Sequence, residues 1–276
     1  SWPDRMATIL VAPMMSCSAR LPIYTLLISA FIPQRSFGGL ISLQGLVLLA
    51  IYFFGALSGA LAAFVLRRTL LKSAPAHFIS EMPPYRLPRL GAALRCAWDR
   101  IFIFLRTAGT LILLVALILW GLIYFPYGSS KPHFESVLGS FAARIGRFVE
   151  PAIEPLGFDW KIGVGLLTSF ASRELFVTSL ALVNNIEQSD SDASLVEKIR
   201  TSRNPETGQP SYSLLTAVSL LVFFVLSCQC MSTLVICCRE TGSWRWTMLM
   251  FSYTFMLAYL GSLAVYQIGS VLWPAL

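Results

Sequence analysis

Charged residues are missing from four long, mainly apolar stretches of the sequence. These stretches cover residues 36–66, 107–130, 207–238 and 246–276. A helix of about 20 apolar residues crosses the hydrocarbon core of a membrane, and only helices or closed barrels satisfy their backbone there. The stretches are too long for barrel strands. The pattern therefore predicts an all-α fold, a polytopic transmembrane helical bundle.

Two further apolar stretches are interrupted, which predicts broken, gate-type helices in this bundle. Between residues 6 and 32, Pro13 and Pro22 bracket a short polar segment. Because a proline removes a backbone donor and disfavours helix in the residue before it, two half-helices are expected here. The second stretch, residues 162–183, has an Arg-Glu pair at its centre. Whether it crosses the membrane or turns back at that pair is left open.

The pattern also divides the chain into segments. We predict a broken-helix gate segment at residues 1–35, a transmembrane span at 36–66, a basic loop with an interfacial helix at 67–101, and a second gate-type transmembrane region at 102–276 with a surface helix near 134–149. The chain starts with Ser1 rather than Met, so we expect it to be part of a longer protein. Within the 36–66 span, Gly55 and Gly59 form a G-x-x-x-G pattern that lets another helix approach closely.

Composition and charge support a membrane setting. Hydrophobic residues make up 56% of the chain and charged residues 13%, compared with roughly 45–50% apolar residues in soluble domains. The net charge of +7 is concentrated in residues 67–106, where eight basic residues accompany two acidic ones. Basic segments beside membrane helices tend to stay in the cytoplasm and attract anionic lipids. Membrane lipid is therefore an expected partner, and nucleic acid is not.

Polar residues concentrate at three positions within the apolar stretches. Unwound backbone in a membrane is tolerated where it lines a cavity, and ionised residues at that depth usually pair or line a path. The candidate pathway residues are Ser16, Cys17, Ser18, Arg173, Glu174, Cys230, Ser232 and Thr233. The alternatives are a packed proline kink, a charged pair held by interhelical contacts, and cysteines that behave as small buried hydrophobes.

The candidate ligands favour a transition metal. Thiolate and thioether sulfur suit such metals rather than Mg²⁺ or Ca²⁺, and the candidate metal-binding residues are Cys17, Cys230, Met231 and Glu174. Both histidines lie in polar connections, which excludes bis-histidine haem within the bilayer. The sequence contains no G-x-x-x-x-G-K-[ST], H-E-x-x-H or G-x-S-x-G motif. We therefore name no catalytic residue and expect that the chain is not an enzyme.

Five sequence strings resemble the ferrous iron transport protein B family. They are A-P-M-M-S-C-S-A-R-L-P-I-Y at residues 12–24, P-P-Y-R-L-P at 83–88, S-F-A-S-R-E-L-F-V at 169–177, Q-C-M-S-T at 229–233 and R-E-T-G-S-W at 239–244. They occur in the family's order and cover nearly the whole chain. In one departure, Gln229 stands where many members carry proline, which puts a proline-made break there in doubt.

The resemblance implies Fe²⁺ uptake across the bacterial inner membrane by a multi-pass permease, of which this chain would be the C-terminal part. It strengthens Cys17, Cys230 and Glu174 as pathway residues. It implies Fe²⁺ as the transported ion and no cofactor in this chain. GTP and Mg²⁺ would act only through the family's N-terminal GTP-binding domain, which is absent here.

The resemblance also implies the remaining N-terminal part of the transporter as a partner. A small cytoplasmic accessory protein and a homo-oligomer are two further partner hypotheses. Two alternatives stay open. One is a gate-helix transporter of an organic solute such as a nucleoside, and the other is a non-transporting membrane scaffold.

Overall fold

The fold is almost entirely helical. A computed structural model of the chain describes residues 2–33, 35–37, 41–71, 89–110, 113–114, 117–118, 121, 141–170, 173–183, 212–228 and 230–272. Its α-helices are α1 (Trp2–Val11), α2 (Leu21–Phe31), α3 (Leu43–Thr69), α4 (Leu90–Phe104), α5 (Phe141–Ile153), α6 (Trp160–Ser169), α7 (Glu174–Val183), α8 (Leu214–Leu226), α9 (Met231–Thr241) and α10 (Trp244–Leu272). The only strands in these residues are β1 (Ser36–Phe37) and β2 (Ile41–Ser42). The predicted all-α class is confirmed.

Four helical stretches of the described residues are long and apolar enough to cross a membrane. They are Trp2–Phe31, Leu43–Thr69, Leu214–Thr241 and Trp244–Leu272. The first contains α1 and α2, and the third contains α8 and α9, so each of these two spans is interrupted. The prediction of a transmembrane bundle with broken helices is therefore confirmed.

The predicted 36–66 span differs from helix α3 at both ends. Ser36 pairs with Ser42 and Phe37 with Ile41 in an antiparallel ladder, so the helix begins only at Leu43. The Ser42 side chain accepts a hydrogen bond from the Gly45 N–H at 3.1 Å. Serine is a favoured N-cap because it satisfies a backbone donor that has no partner within the helix. At the other end the helix runs on to Thr69.

Helices α6 and α7 fold back on each other at the Arg-Glu pair. The Thr168 and Ser179 hydroxyls are 2.8 Å apart, and a side chain at Gly165 would collide with the Phe176 ring. Residues eleven positions apart in one straight helix would be separated by roughly 16 Å. The stretch therefore turns back as a helical hairpin, which resolves the alternative that the sequence left open.

The core lies where α2, α6, α7 and α8 meet. Its aromatic centre includes Phe176 and Phe224, whose rings pack edge to face with centroids 4.8 Å apart. A second apolar cluster joins α1, α9 and α10 around Leu10 and Met250. Helix α9 ends at Thr241, and the φ of 64° at the following Gly242 allows the chain to reverse into α10.

The amphipathic segments are only partly described. Helix α4 matches the position of the predicted interfacial helix, and its side chains are exposed wherever they are described. Its location at the membrane surface stays a prediction. The predicted surface helix near 134–149 overlaps α5, which begins at Phe141 and ends at Ile153. Residues 122–140 lie outside the described part, as do most of the predicted basic loop and much of the apolar stretch at 107–130.

Candidate functional site

The first break, break 1, comprises residues 12–20 between α1 and α2. The chain forms two single 3₁₀ turns here, Ala12–Met14 and Ser18–Arg20. Between them Cys17 is extended, with φ −107° and ψ 164°. This backbone supplies carbonyl oxygens that no helix uses, as expected of an interrupted span.

Break 2 lies between α6 and α7, with Phe170 and Arg173 at its described ends, and break 3 lies between α8 and α9. At break 3 Ser227 and Cys230 are both extended, with ψ values of 142° and 117°. The Met231 N–H donates to the Phe170 carbonyl at 3.1 Å, which joins break 3 to break 2. Break 3 is present although Gln229 stands where many members of the resembled family carry proline. Gln229 itself lies outside the described part of the chain.

The Arg20 side chain joins break 1 to break 3. Its guanidinium is fully buried and donates to four carbonyl oxygens at 2.8–3.3 Å. Two belong to Pro13 and Met14 in the first turn of break 1, and two to Val225 and Ser227 at the end of α8. Carbonyls at a helix C-terminus carry partial negative charge, so one cation stabilises both interrupted helix ends.

Arg173 joins break 2 to the Ser227 carbonyl at break 3. It is 4% exposed, and its Nη2 donates to the Ser227 carbonyl at 3.1 Å. That oxygen therefore accepts from both arginines. Glu174, the first residue of α7, is exposed instead. The adjacent charges of this pair thus lie in different environments, because neighbouring residues of a helix do not face the same way.

Helix α3 passes directly beside break 1 and the C-terminal end of α8. A methyl group built on Gly55 would lie 3.2 Å from Ser16 Oγ and 3.4 Å from Val225 Cγ1. One turn along, a methyl group on Gly59 would lie 3.6 Å from Val11. The G-x-x-x-G pattern thus permits the close approach that the sequence predicted.

The sequence-predicted residues are spread over all three breaks. Cys17, Ser18, Glu174 and Met231 are exposed, Ser16, Cys230 and Thr233 are half-buried, and Arg173 and Ser232 are buried. In the described part of the chain, no three His, Cys, Asp or Glu side chains come close enough to hold a metal ion. The four candidate metal ligands therefore do not form one compact site within these residues.

Sequence reasoning missed Arg20 as a central residue. It is the only charged residue between positions 6 and 32, and a charge inside an apolar span is itself a signal of function. Tyr24 and Ser227 were also missed. The Tyr24 hydroxyl, one turn after break 1, is buried and has no hydrogen-bond partner.

Buried polar atoms without a hydrogen-bond partner also mark the breaks. Within the described residues they belong to Ser16, Arg20, Tyr24, Arg173, Ser227 and Ser232, all at a break or about one turn from one. Buried polar groups are nearly always paired, so such a group calls for a water, an ion or a functional reason. The breaks therefore form one polar region inside an apolar bundle.

Comparisons with known proteins identify the family of the chain. A family model described as "Ferrous iron transport protein B C terminus" matches residues 48–100. A second, described as "Nucleoside recognition", matches residues 105–244, which include breaks 2 and 3. The Fe(2+) transporter FeoB of Leptospira biflexa is 39% identical over 98% of this chain. The chain belongs to the ferrous iron transport protein B family.

Other relatives extend the match across species. The Fe(2+) transporter FeoB of Staphylococcus aureus strain COL is 35% identical over 96% of this chain. A Porphyromonas gingivalis protein named "Fe(2+) transport protein A/Fe(2+) transporter FeoB fusion protein" is 34% identical over 96% of it. The chain spans 39% of the Leptospira biflexa relative and 34% of the Porphyromonas gingivalis one. No solved structure matches this chain.

Proposed function

We propose that this chain is the C-terminal membrane part of a ferrous iron uptake transporter in the bacterial inner membrane. The observation that carries the proposal is the meeting of three helix breaks through Arg20, Arg173 and Met231. Breaks of this kind place half-helix ends and unwound backbone at an ion path. The names of the relatives identify Fe²⁺ as the ion to be tested.

We further propose the residues that line this path. Cys17, Cys230, Met231 and Glu174 would contact the ion, and hydroxyl groups and Arg173 would line the remainder. The lining residues in question are Ser16, Ser18, Ser232 and Thr233. Fe²⁺ is borderline in softness, so sulfur and oxygen ligands both suit it. Ligands spread over three breaks give weak, successive sites, which an ion can leave as well as enter.

The charged ends of the helices support an orientation for this transporter. Arg67 near the end of α3 pairs with Asp4 at 3.2 Å, and Arg5 at the start of α1 pairs with Glu240 near the end of α9 at 2.6 Å. These three helix ends therefore lie at the same end of the bundle. Because basic residues favour the cytoplasmic side, we propose that this end faces the cytoplasm.

Partners of the chain are also proposals. The greater length of the relatives supports an N-terminal part of the same transporter, to which we assign GTP and Mg²⁺ binding. The name of the fused Porphyromonas gingivalis protein is consistent with a small accessory protein. Membrane lipid and a homo-oligomer remain further proposals for this chain.

Nucleoside transport is the second candidate. The description of the family model over residues 105–244 favours it, whereas the names of the full-length relatives favour iron. The two candidates differ in what the path must offer. A nucleoside requires polar and aromatic contacts and no sulfur, while Fe²⁺ uptake by our proposal depends on Cys17 and Cys230.

The deciding experiment is anaerobic uptake of radiolabelled Fe²⁺ by cells that make the full-length protein containing this chain. Cys17→Ser/Cys230→Ser is compared with wild type at matched membrane abundance. We expect uptake to fall at least tenfold, because two sulfur ligands are replaced by weakly binding hydroxyls. Cys96→Ser/Cys238→Ser is the matched control, since both of its cysteines lie outside the breaks.

The outcomes separate the candidates. Full Fe²⁺ uptake by the Cys17→Ser/Cys230→Ser protein would remove both cysteines from the path. Uptake of labelled nucleoside with no Fe²⁺ uptake would replace the iron proposal with the second candidate. No uptake of either by abundant wild-type protein would favour a scaffold.

A further inference from the structure

Two guanidinium groups are buried where the three breaks meet, and no described carboxylate forms an ion pair with either. Arg20 is 0% and Arg173 4% exposed, and both donate to the Ser227 carbonyl oxygen, so the two like charges lie close together. Ion pairs such as Arg5–Glu240 lie at an exposed end of the bundle instead. A buried cation without compensation is costly. Partners other than carboxylates must therefore compensate these charges.

The two arginines differ in the number of carbonyl oxygens that accept their hydrogen bonds. Arg20 donates to four carbonyl oxygens. Arg173 donates to one, the Ser227 carbonyl, and shares it with Arg20. The Nε and Nη1 atoms of Arg173 are buried without a partner. A guanidinium has five N–H donors and no acceptor, so its missing partner must be an acceptor.

Unpartnered hydroxyl groups are also buried at break 3, which Arg173 contacts through the Ser227 carbonyl. The Ser227 and Ser232 hydroxyls have no hydrogen-bond partner, and a hydroxyl can donate its proton to an anion as well as accept one. The nearby Phe170 carbonyl already accepts from the Met231 N–H. Helices α7 and α9 begin here, and a helix N-terminus adds partial positive charge. The region therefore retains positive charge and free donors.

We propose that Arg173, with the Ser227 and Ser232 hydroxyls, binds a small monovalent inorganic anion, of which chloride is the simplest. The anion supplies the acceptor that Nε and Nη1 lack and neutralises one of the two buried charges. It would also reduce repulsion of a cation passing the breaks. That last consequence rests on the proposed function, whereas the binding itself needs no metal.

The test is a chloride titration of the purified chain in detergent, without any metal. Potassium chloride replaces potassium gluconate at constant ionic strength, and the midpoint of thermal unfolding is measured. A ligand that binds only the folded state raises this midpoint saturably. We expect that rise in wild type and in Arg245→Gln, whose arginine is exposed. We expect its loss in Arg173→Gln. Nitrate and bicarbonate titrations then show which small anions the site accepts.

Either of two titration results would overturn the proposal. One is a wild-type midpoint that does not respond saturably to any of the three anions, which would mean that only water occupies the site. The other is an equal response in Arg173→Gln. Should Arg173→Gln fail to fold, Ser232→Ala replaces it, with a several-fold weaker chloride response expected. Chloride NMR then decides on wild type alone: absence of line broadening that nitrate competes away would refute binding.

Discussion

Two regions of the described bundle bury polar side chains in different ways: one is fully hydrogen-bonded and the other is not. Between α8 and α10 the Ser219 and Ser262 hydroxyls lie 2.6 Å apart, and Ser219 Oγ is also 3.0 Å from the Leu156 carbonyl. At the breaks, by contrast, hydroxyl and guanidinium atoms are buried without partners. The bundle can therefore supply hydrogen-bond partners to buried hydroxyls that serve only helix packing.

The difference separates polar groups that hold helices together from those that serve another purpose. A satisfied buried hydrogen bond contributes about 1 kcal/mol to stability, while an unpartnered buried donor or acceptor costs about 1–3 kcal/mol. A folded protein retains several such unfavourable buried groups only where a function requires them. We infer that the serine pair between α8 and α10 is structural and that the breaks bind ions or water.

Removing the link between the breaks should have the largest effect. Arg20→Gln leaves most of four buried carbonyl oxygens without their charged donor. We expect the free energy of unfolding to fall by roughly 3 kcal/mol or more, and Fe²⁺ uptake to be lost. Unfolding of the purified chain in detergent and anaerobic uptake by the full-length protein measure the two effects.

The control for that change is Arg5→Gln. Its arginine pairs with Glu240 at the exposed end of the bundle, where an ion pair contributes at most about 1 kcal/mol. An equally small loss of stability in Arg20→Gln would show that the breaks do not depend on this cation.

Removing one buried hydroxyl from each region should have intermediate effects on stability and uptake. Ser219→Ala removes bonds to Ser262 and Leu156, and we expect it to cost about 1–2 kcal/mol of unfolding free energy with uptake unchanged. Ser232→Ala removes a buried hydroxyl without a partner. Measured without chloride, this variant should have unchanged or higher stability, while uptake falls several-fold. The same stability loss in both variants would erase the distinction between the regions.

The sequence predicted much of this fold because bilayer helices follow directly from apolar stretches. The broken first span could be predicted as well, since Pro13 and Pro22 act locally through their own rings. The start of α3 was missed because it depends on a ladder between Phe37 and Ile41. Neither the hydropathy pattern nor helix propensity predicts that pairing.

The candidate site could be predicted only residue by residue. The strings around Cys17, Glu174 and Cys230 indicated where the helices break, but not that the breaks meet. Their meeting depends on contacts between distant residues, such as Arg20 with Val225 and Ser227. A charge in an apolar span indicates that it has a partner, but its sequence position does not say which carbonyl that partner is.

The smallest expected effect concerns how closely α3 approaches the breaks. Gly55→Ala and Gly59→Ala are the same substitution one turn apart on one helix, and both gain about 0.5–1 kcal/mol from alanine's helix preference. At Gly59 the new methyl makes ordinary contacts, the nearest at 3.6 Å, so we expect that gain in full. At Gly55 it lies 3.2 Å from Ser16 Oγ, so break 1 must shift by a few tenths of an ångström. Stability should then rise less or fall, and uptake should drop in Gly55→Ala alone. Equal uptake in the two variants at matched abundance would mean that break 1 tolerates movement, and that its geometry does not limit transport.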